Sequence, residues 1–143
     1  MTKINPYLNF KGEAEEAFNF YKSAFGGEFS TVMRYGELPG FEEGNLAEED
    51  GNKIVNIALP ISDGHVLMGN DVVGEYVDKT ISEINVSISV SPDSKEETEK
   101  IFNGLSAGGD IEMPLGDIFE GVYFGILKDK FGIRWLINYD YNK

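Results

Sequence analysis

Residues 4–10 read INPYLNF and residues 84–90 read INVSISV, so the same Ile-Asn pair opens two runs of alternating apolar residues. The alternation has the two-residue period of a β-strand. Pro6 in the first run indicates an edge strand or an irregular strand start. A sequence pattern that recurs within one chain predicts that a larger supersecondary unit is duplicated.

The segment after the first run predicts a helix followed by three strands. Apolar residues spaced three and four apart predict a helix over 13–25, which Gly26-Gly27 would end. Strands are predicted at 28–35, 53–61 and 65–70, the last two joined by a tight turn at 62–64. The intervening stretch 36–52 carries six acidic residues and no basic one, and is predicted as a solvated loop. A flap over a cavity, or an arm onto a second subunit, is the functional alternative for this loop.

The second half repeats this order. A strand is predicted at 82–90, followed by a helix that Ser91 would cap and whose buried stripe comprises Thr98, Ile101, Phe102 and Leu105. Further strands are predicted at about 110–115, 121–128 and 133–138. Ile4-Asn5 matches Ile84-Asn85, and Asn70 matches Asn138. We therefore predict one α+β domain over residues 1–143, with two βαβββ repeats at about 3–71 and 82–139.

Composition excludes several classes of partner. A formal net charge of −13 repels nucleic-acid phosphates and anionic lipid head groups, so neither nucleic acid nor a membrane surface is expected. There is no apolar run of about 18 residues to cross a bilayer. Cysteine is absent, which removes thiolate nucleophiles and fits a reducing compartment. A cytoplasmic protein is expected.

The strings INPYLNFKGEAEEAFNFYKSAFGGEF (4–29), GDIEMPL (109–115) and DKFGIRWLINYD (129–140) resemble the vicinal oxygen chelate superfamily, which has the glyoxalase and bleomycin-resistance fold. Within it, the chain is most similar to the PhnB-like branch. The resemblance implies a curved, partly open mixed β-sheet barrel around a cavity, with the helices outside, and a homodimer. Some relatives in this branch are labelled demethylubiquinone methyltransferases, but the chain has no glycine-rich strand-loop-helix for a nucleoside cofactor.

Enzymes of this superfamily bind a divalent metal at four inward positions, which the strand matching carries onto Asn5, Met68, Asn85 and Leu136. Catalytic divalent metals prefer imidazole nitrogen or carboxylate oxygen, and none of these four side chains supplies either. The one histidine, His65, lies at an odd offset from Met68 and should face the other side of its strand. We predict no catalytic metal and no other cofactor.

Other candidate residues have two interpretations each. Asn5 and Asn85 would contact a ligand or lock neighbouring strands together. Arg34 would clamp an anionic ligand group or pair with a nearby glutamate. The residues that share the inward parity would line a cavity or fill the core; they are Tyr7, Met68, Asn70, Leu136 and Asn138.

These observations favour a small-molecule-binding protein over an enzyme. Its ligand would be partly apolar and oriented by amides. The alternative is a metal-dependent lyase, isomerase or dioxygenase-type enzyme whose ligands have moved, for example to His65 with nearby acids. A scaffold whose cavity is packed shut is a third possibility.

Overall fold

The computed structural model describes residues 5–38, 48–74, 87–119 and 121–142. The chain divides into two compact units, Met1–Glu83 and Ile84–Lys143. Over the described residues, each unit contains one α-helix and a four-stranded mixed sheet, which confirms the predicted α+β class and the duplicated β-α-β-β-β order. The first unit comprises β1 (Tyr7–Phe10), α1 (Ala14–Phe25), β2 (Thr31–Arg34), β3 (Ile54–Ser62) and β4 (His65–Asp71). The second comprises β5 (Ile88–Val90), α2 (Lys95–Ser106), β6 (Asp110–Phe119), β7 (Val122–Lys128) and β8 (Arg134–Asp140).

The two sheets have the same topology. Their strand orders are β1-β4-β3-β2 and β5-β8-β7-β6, and each has one parallel pair, β1 with β4 and β5 with β8. The remaining neighbours are antiparallel. Both sheets are open, with an edge strand at either end.

Helix α1 buries Ala14, Ala17, Phe18 and Tyr21 against its sheet. Phe18 meets Phe10 of β1 edge-to-face, with ring centroids 6.4 Å apart. Gly69 of β4 makes room for this ring, because a Cβ there would lie 2.8 Å from Phe18 Cε1. Alternate residues of β1 and β4 therefore belong to the core beneath α1.

Helix α2 packs in the equivalent way. Its buried side chains are Thr98, Ile101, Phe102 and Leu105, which confirms the predicted stripe. A Cβ at Gly125 of β7 would lie 2.7 Å from Phe102 Cε2, so glycine permits the close approach here too. Trp135 and Ile137 of β8 are buried in the same core.

The predicted N-cap of α2 is wrong. Ser94, not Ser91, occupies the cap: its Oγ accepts a hydrogen bond from the Glu97 amide at 3.1 Å. The hydroxyl of Ser91 instead donates to Asn138 Oδ1 at 2.8 Å. The helix consequently begins at Lys95, three residues after the predicted start at Pro92.

A buried aspartate holds the first unit together. Asp71 Oδ1 accepts hydrogen bonds from the amides of Gly12 (2.8 Å) and Ala14 (2.9 Å), and Oδ2 accepts one from the Ile54 amide (2.9 Å). The carboxylate thereby satisfies free amides at the start of α1, where the helix dipole favours an anion. This contact ties α1, β3 and β4 together at one point.

Other differences from the predicted boundaries have local causes. Strand β6 continues to Phe119 instead of ending near 115, because bulges in its pairing with β7 accommodate Pro114 and Gly116. The predicted loop 36–52 contains two 3-10 helices, Tyr35–Glu37 and Glu48–Asn52, while residues 39–47 lie outside the described residues.

Candidate functional site

The first sheet has one face covered by α1 and another that points away from it. Strand register assigns side chains to the second face: Tyr7 lies opposite Met68, and Asn9 lies opposite Asn70. Ala58 of β3 is paired with Met68 and so extends the same row. Three of the predicted ligand-binding residues, Tyr7, Met68 and Asn70, are thus brought together on this face.

Three asparagines form one row across this face, which we call the amide row: Asn9 of β1, Asn70 of β4 and Asn56 of β3. Asn56 precedes Ile57, whose antiparallel partner is Gly69, and this places Asn56 opposite Asn70. The Oδ1 atoms of Asn56 and Asn70 are buried and have no hydrogen-bond partner among the described residues. Buried polar atoms in proteins are nearly always paired, so two unpaired acceptors on cross-strand neighbours mark this row as exceptional.

Two tyrosine hydroxyls lie near the amide row. The Tyr7 hydroxyl donates to the Val55 carbonyl at 3.5 Å, and the Tyr35 hydroxyl donates to the Asp71 carbonyl at 2.9 Å. Burial raises the pKa of Tyr7, and burial with the nearby Tyr7 and Asp71 raises the pKa of Tyr35. Both phenols therefore stay protonated at neutral pH and can act as hydrogen-bond donors.

Arg34 belongs to the helix side of the sheet. Its guanidinium donates to both oxygens of Glu15 on α1, at 3.0 and 2.6 Å, and to the Asn52 carbonyl at 2.9 Å. The ion pair raises the pKa of Arg34 and lowers that of Glu15. This is the glutamate pairing that the sequence left open, and a ligand role would require Arg34 to leave these partners.

The four positions matched to metal ligands provide poor donors. Asn5 Oδ1 accepts a hydrogen bond from the Val66 backbone amide at 3.3 Å, so the Asn5 side chain links the segment just before β1 to β4. Met68 offers a thioether and Leu136 a hydrocarbon, and Asn85 lies outside the described residues. These side chains do not fit the divalent ion of the superfamily's enzymes, which needs imidazole or carboxylate ligands.

The match of Asn5 to Asn85 is out of register with the folded strands. Met68 pairs with Tyr7, and its counterpart Leu136 pairs with Ser89. Tyr7 therefore corresponds to Ser89, and two residues earlier Asn5 corresponds to Ser87. By this register the position equivalent to Asn5 is Ser87, two residues after the one that the sequence matching chose.

In the second unit the asparagine equivalent to Asn70 is Asn138, and its side chain is fully engaged in hydrogen bonds within the sheet. Asn138 Nδ2 donates to Ser89 Oγ (3.1 Å) and to the Val90 carbonyl (3.2 Å), while Oδ1 accepts from Ser91 Oγ. This side chain locks β8 to β5. Asn70 and Asn138 thus occupy equivalent positions with opposite states, one with an unpaired oxygen and one fully bonded.

His65 is exposed at the start of β4, where it follows the turn that Gly64 makes with a φ of 78°. Over the described ranges, no three histidine, aspartate or glutamate side chains are grouped as a metal site. No helix in the described part of the chain is long and apolar enough to cross a membrane.

Sequence reasoning missed Asn56 and Asn9 as site residues. A usable signal was present, since Asn56 is the one polar residue inside the apolar run IVNIALPI of β3. Matching only the first and last strand of each repeat left β3 out of consideration.

The sequence profile of the 3-demethylubiquinone-9 3-methyltransferase family matches residues 2–138. The chain belongs to this family. Its members include proteins of the PhnB type: a solved PhnB protein from Bacillus cereus is 30% identical, with 96% of this chain and 99% of that chain covered and a TM-score of 0.74. The family name describes methyl transfer and assigns no role to a residue of this chain.

Further similarities support this membership. Protein PA1353 of Pseudomonas aeruginosa is 34% identical over 98% of both chains, with a TM-score of 0.85. Protein YjdN of Escherichia coli is 25% identical over 137 residues, covering 94% of this chain and 93% of the relative. A glyoxalase/bleomycin resistance protein/dioxygenase from Alicyclobacillus acidocaldarius, 14% identical with a TM-score of 0.56, shares the fold alone.

Proposed function

We propose that this PhnB-like protein binds a small, partly apolar molecule on the sheet face that carries the amide row, without a catalytic metal. One observation carries the proposal: Asn56 and Asn70 lie opposite each other, and the Oδ1 atom of each is buried without a partner among the described residues. An unpaired buried acceptor costs a folded protein about 1–3 kcal/mol. A ligand that donates hydrogen bonds to these oxygens would recover that free energy on binding.

The surroundings of the amide row suit an apolar part of the same ligand. Met68 and Ala58 lie in the neighbouring row, and Tyr7 is 45% exposed beside them. Small-molecule sites typically combine such apolar surface with a few polar groups that fix orientation. Sequestration by these contacts needs no reaction.

The donor chemistry supports binding without a catalytic metal. A hydrogen-bonded amide at Asn5, a thioether at Met68 and a hydrocarbon at Leu136 are unsuited to zinc, nickel, manganese or iron in an oxygen-polarising role. Elemental analysis of protein purified without a chelator tests this point. Substoichiometric metal is expected. One equivalent of any of these metals, together with loss of ligand binding in EDTA, would favour the metal-dependent enzyme instead.

Two further parts of the proposal concern assembly and location. A homodimer is supported by apolar side chains exposed on edge strand β6, where Ile111 is 51% and Ile118 43% exposed. Sedimentation at several concentrations tests it, with a monomer at all concentrations as the contrary result.

A cytoplasmic location is supported by the absence of cysteine from the sequence.

The binding function is tested by ¹H–¹⁵N NMR of the side-chain amides. A mixed set of anionic, neutral and cationic aromatic fragments is added at millimolar concentration to the wild type and to Asn56→Leu. We expect at least one fragment to shift the Asn56 and Asn70 signals in the wild type, and the Asn70 shift to be lost in the variant. A set that leaves both amides unperturbed would indicate a closed scaffold and contradict the proposal.

A further inference from the structure

The amide row contains two buried hydrogen-bond acceptors on residues that are cross-strand neighbours. Asn56 and Asn70 lie on neighbouring antiparallel strands, which run about 4.8 Å apart. Their Oδ1 atoms are both buried and both unpaired among the described residues. A group that carries two N–H donors has one donor for each oxygen.

No side chain in the registered rows of this face carries a charge. The side chains of the two rows are all uncharged: Asn9, Asn70, Asn56 and Met33 in one, and Tyr7, Met68, Ala58 and Thr31 in the other. Arg34, the nearest arginine in sequence to β3, is engaged with Glu15 on the helix side. An anionic ligand would therefore lack a counter-charge here, would place its own acceptor atoms against the unpaired oxygens of Asn56 and Asn70, and would approach a chain of net charge −13.

We propose that the amide row selects its ligand by N–H donors: the ligand carries a planar, uncharged or cationic nitrogen group of the carboxamide, urea or amidine class, and carboxylates and phosphates are rejected. This inference rests on the binding function proposed above and adds the chemical class of the ligand. Asn56 and Asn70 are its specificity-determining residues. The rejection of anions follows because a buried oxygen facing a second acceptor stays unpaired and is repelled.

Three probes of nearly equal shape separate the possibilities. Benzamide is neutral with an NH₂ donor, benzamidine is cationic with two nitrogen donors, and benzoate is an anion that only accepts. Titration of each into ¹⁵N-labelled protein, followed at the Asn56 and Asn70 side-chain amides, gives the three dissociation constants. We expect benzamide and benzamidine to bind at least about tenfold more tightly than benzoate, since each makes a hydrogen bond that benzoate lacks.

Variants assign the effect to the amide row. Asn70→Leu should weaken benzamide binding by about tenfold and bring it to the level of benzoate, because the acceptor is gone. Asn56→Leu is a second, independent variant with the same expectation. The matched control is Asn19→Leu on the exposed side of α1, which should leave all three affinities unchanged.

The contrary results are distinct. If benzoate shifts the Asn56 and Asn70 amides at the lowest concentration of the three, the selectivity proposed here is wrong while the binding function stands. Equal affinities that survive both leucine variants also refute the selectivity. If none of the three probes, and no fragment of the mixed set, shifts these amides, the binding function fails and this inference with it.

Discussion

The equivalent asparagines of the two repeats should respond to the same substitution in opposite directions. Asn70→Leu removes a buried oxygen that has no partner among the described residues. Asn138→Leu removes a side chain that makes hydrogen bonds to Ser89, Val90 and Ser91. Both substitutions change the same residue type at the same strand position, so each serves as the control for the other.

The magnitudes follow from these contacts. An unsatisfied buried acceptor costs about 1–3 kcal/mol, so replacing Asn70 with leucine should raise the free energy of unfolding by about that amount. For Asn138, three hydrogen bonds at a half-buried position are lost, and the expected decrease is about 1–2 kcal/mol. For a chain of this length each kcal/mol corresponds to about 2–4 °C in Tm. The two variants should therefore differ by several degrees, with the wild type between them.

Urea denaturation followed by far-UV circular dichroism measures both changes. Fluorescence of the one tryptophan, Trp135, gives a second probe that reports on the second unit. A stabilised Asn70→Leu that no longer binds benzamide would show that the orphaned oxygen is kept for a ligand at the expense of stability. The reasoning would be refuted if Asn70→Leu lowered the unfolding free energy as much as Asn138→Leu does.

Three further substitutions test the supporting structure. Asp71→Ala should lower the free energy of unfolding by about 4 kcal/mol, because two buried amides and one partly buried amide lose a charged acceptor. A loss below about 1 kcal/mol would contradict the role given to this carboxylate. Ser94→Ala should lower the free energy of unfolding, measured by urea denaturation, by about 1 kcal/mol because α2 loses its N-cap. Ser91→Ala, at the cap position that the structure does not use, should leave the hydrogen-exchange protection of the α2 amides unchanged. Glu15→Gln should change how the free energy of unfolding depends on pH. The hydrogen bond from Arg34 lowers the pKa of Glu15 in the folded protein, so the ion pair stabilises the fold at pH values above 4.5, the ordinary pKa of a glutamate. This stabilisation is lost as the pH falls through the pKa of Glu15 in the folded protein. Wild type and Glu15→Gln should accordingly converge in Tm at acidic pH, and a constant difference down to pH 2 would argue against the ion pair.

Hydrophobic periodicity was sufficient to predict the repeated β-α-β-β-β order and the buried stripe of α2. Burial repeats every 3.6 residues along a helix and every two along a strand, so local sequence carries this information directly. Thr98 illustrates the point: its spacing alone placed it in the core, where it is fully buried.

Features that depend on distant partners were not predictable in the same way. Asp71 and the amides it binds at Gly12 and Ala14 are separated by more than fifty residues, so no local pattern announces the contact. The cap at Ser94 was misassigned because Ser91 is an equally good cap by residue type, and only its bond to Asn138 removes it from that role.

In the candidate site, too, features set by local sequence were predictable and features set by distant partners were not. Strand parity correctly assigned Tyr7, Met68 and Asn70 to one face. Parity does not reveal whether a side chain already has hydrogen-bond partners, and so Asn70 and Asn138 were given the same role. Asn56 was overlooked because only the first and last strands of each repeat were matched, although it is a polar residue inside the apolar run of β3; its place opposite Asn70 depends on the register of β3 against β4.

A crystal structure of the protein with benzamide tests the central claim most directly. The account predicts electron density for the amide nitrogen at about 2.7–3.2 Å from Oδ1 of Asn56 or Asn70. It would be contradicted by a structure in which both oxygens accept hydrogen bonds from the protein's own groups and benzamide lies elsewhere.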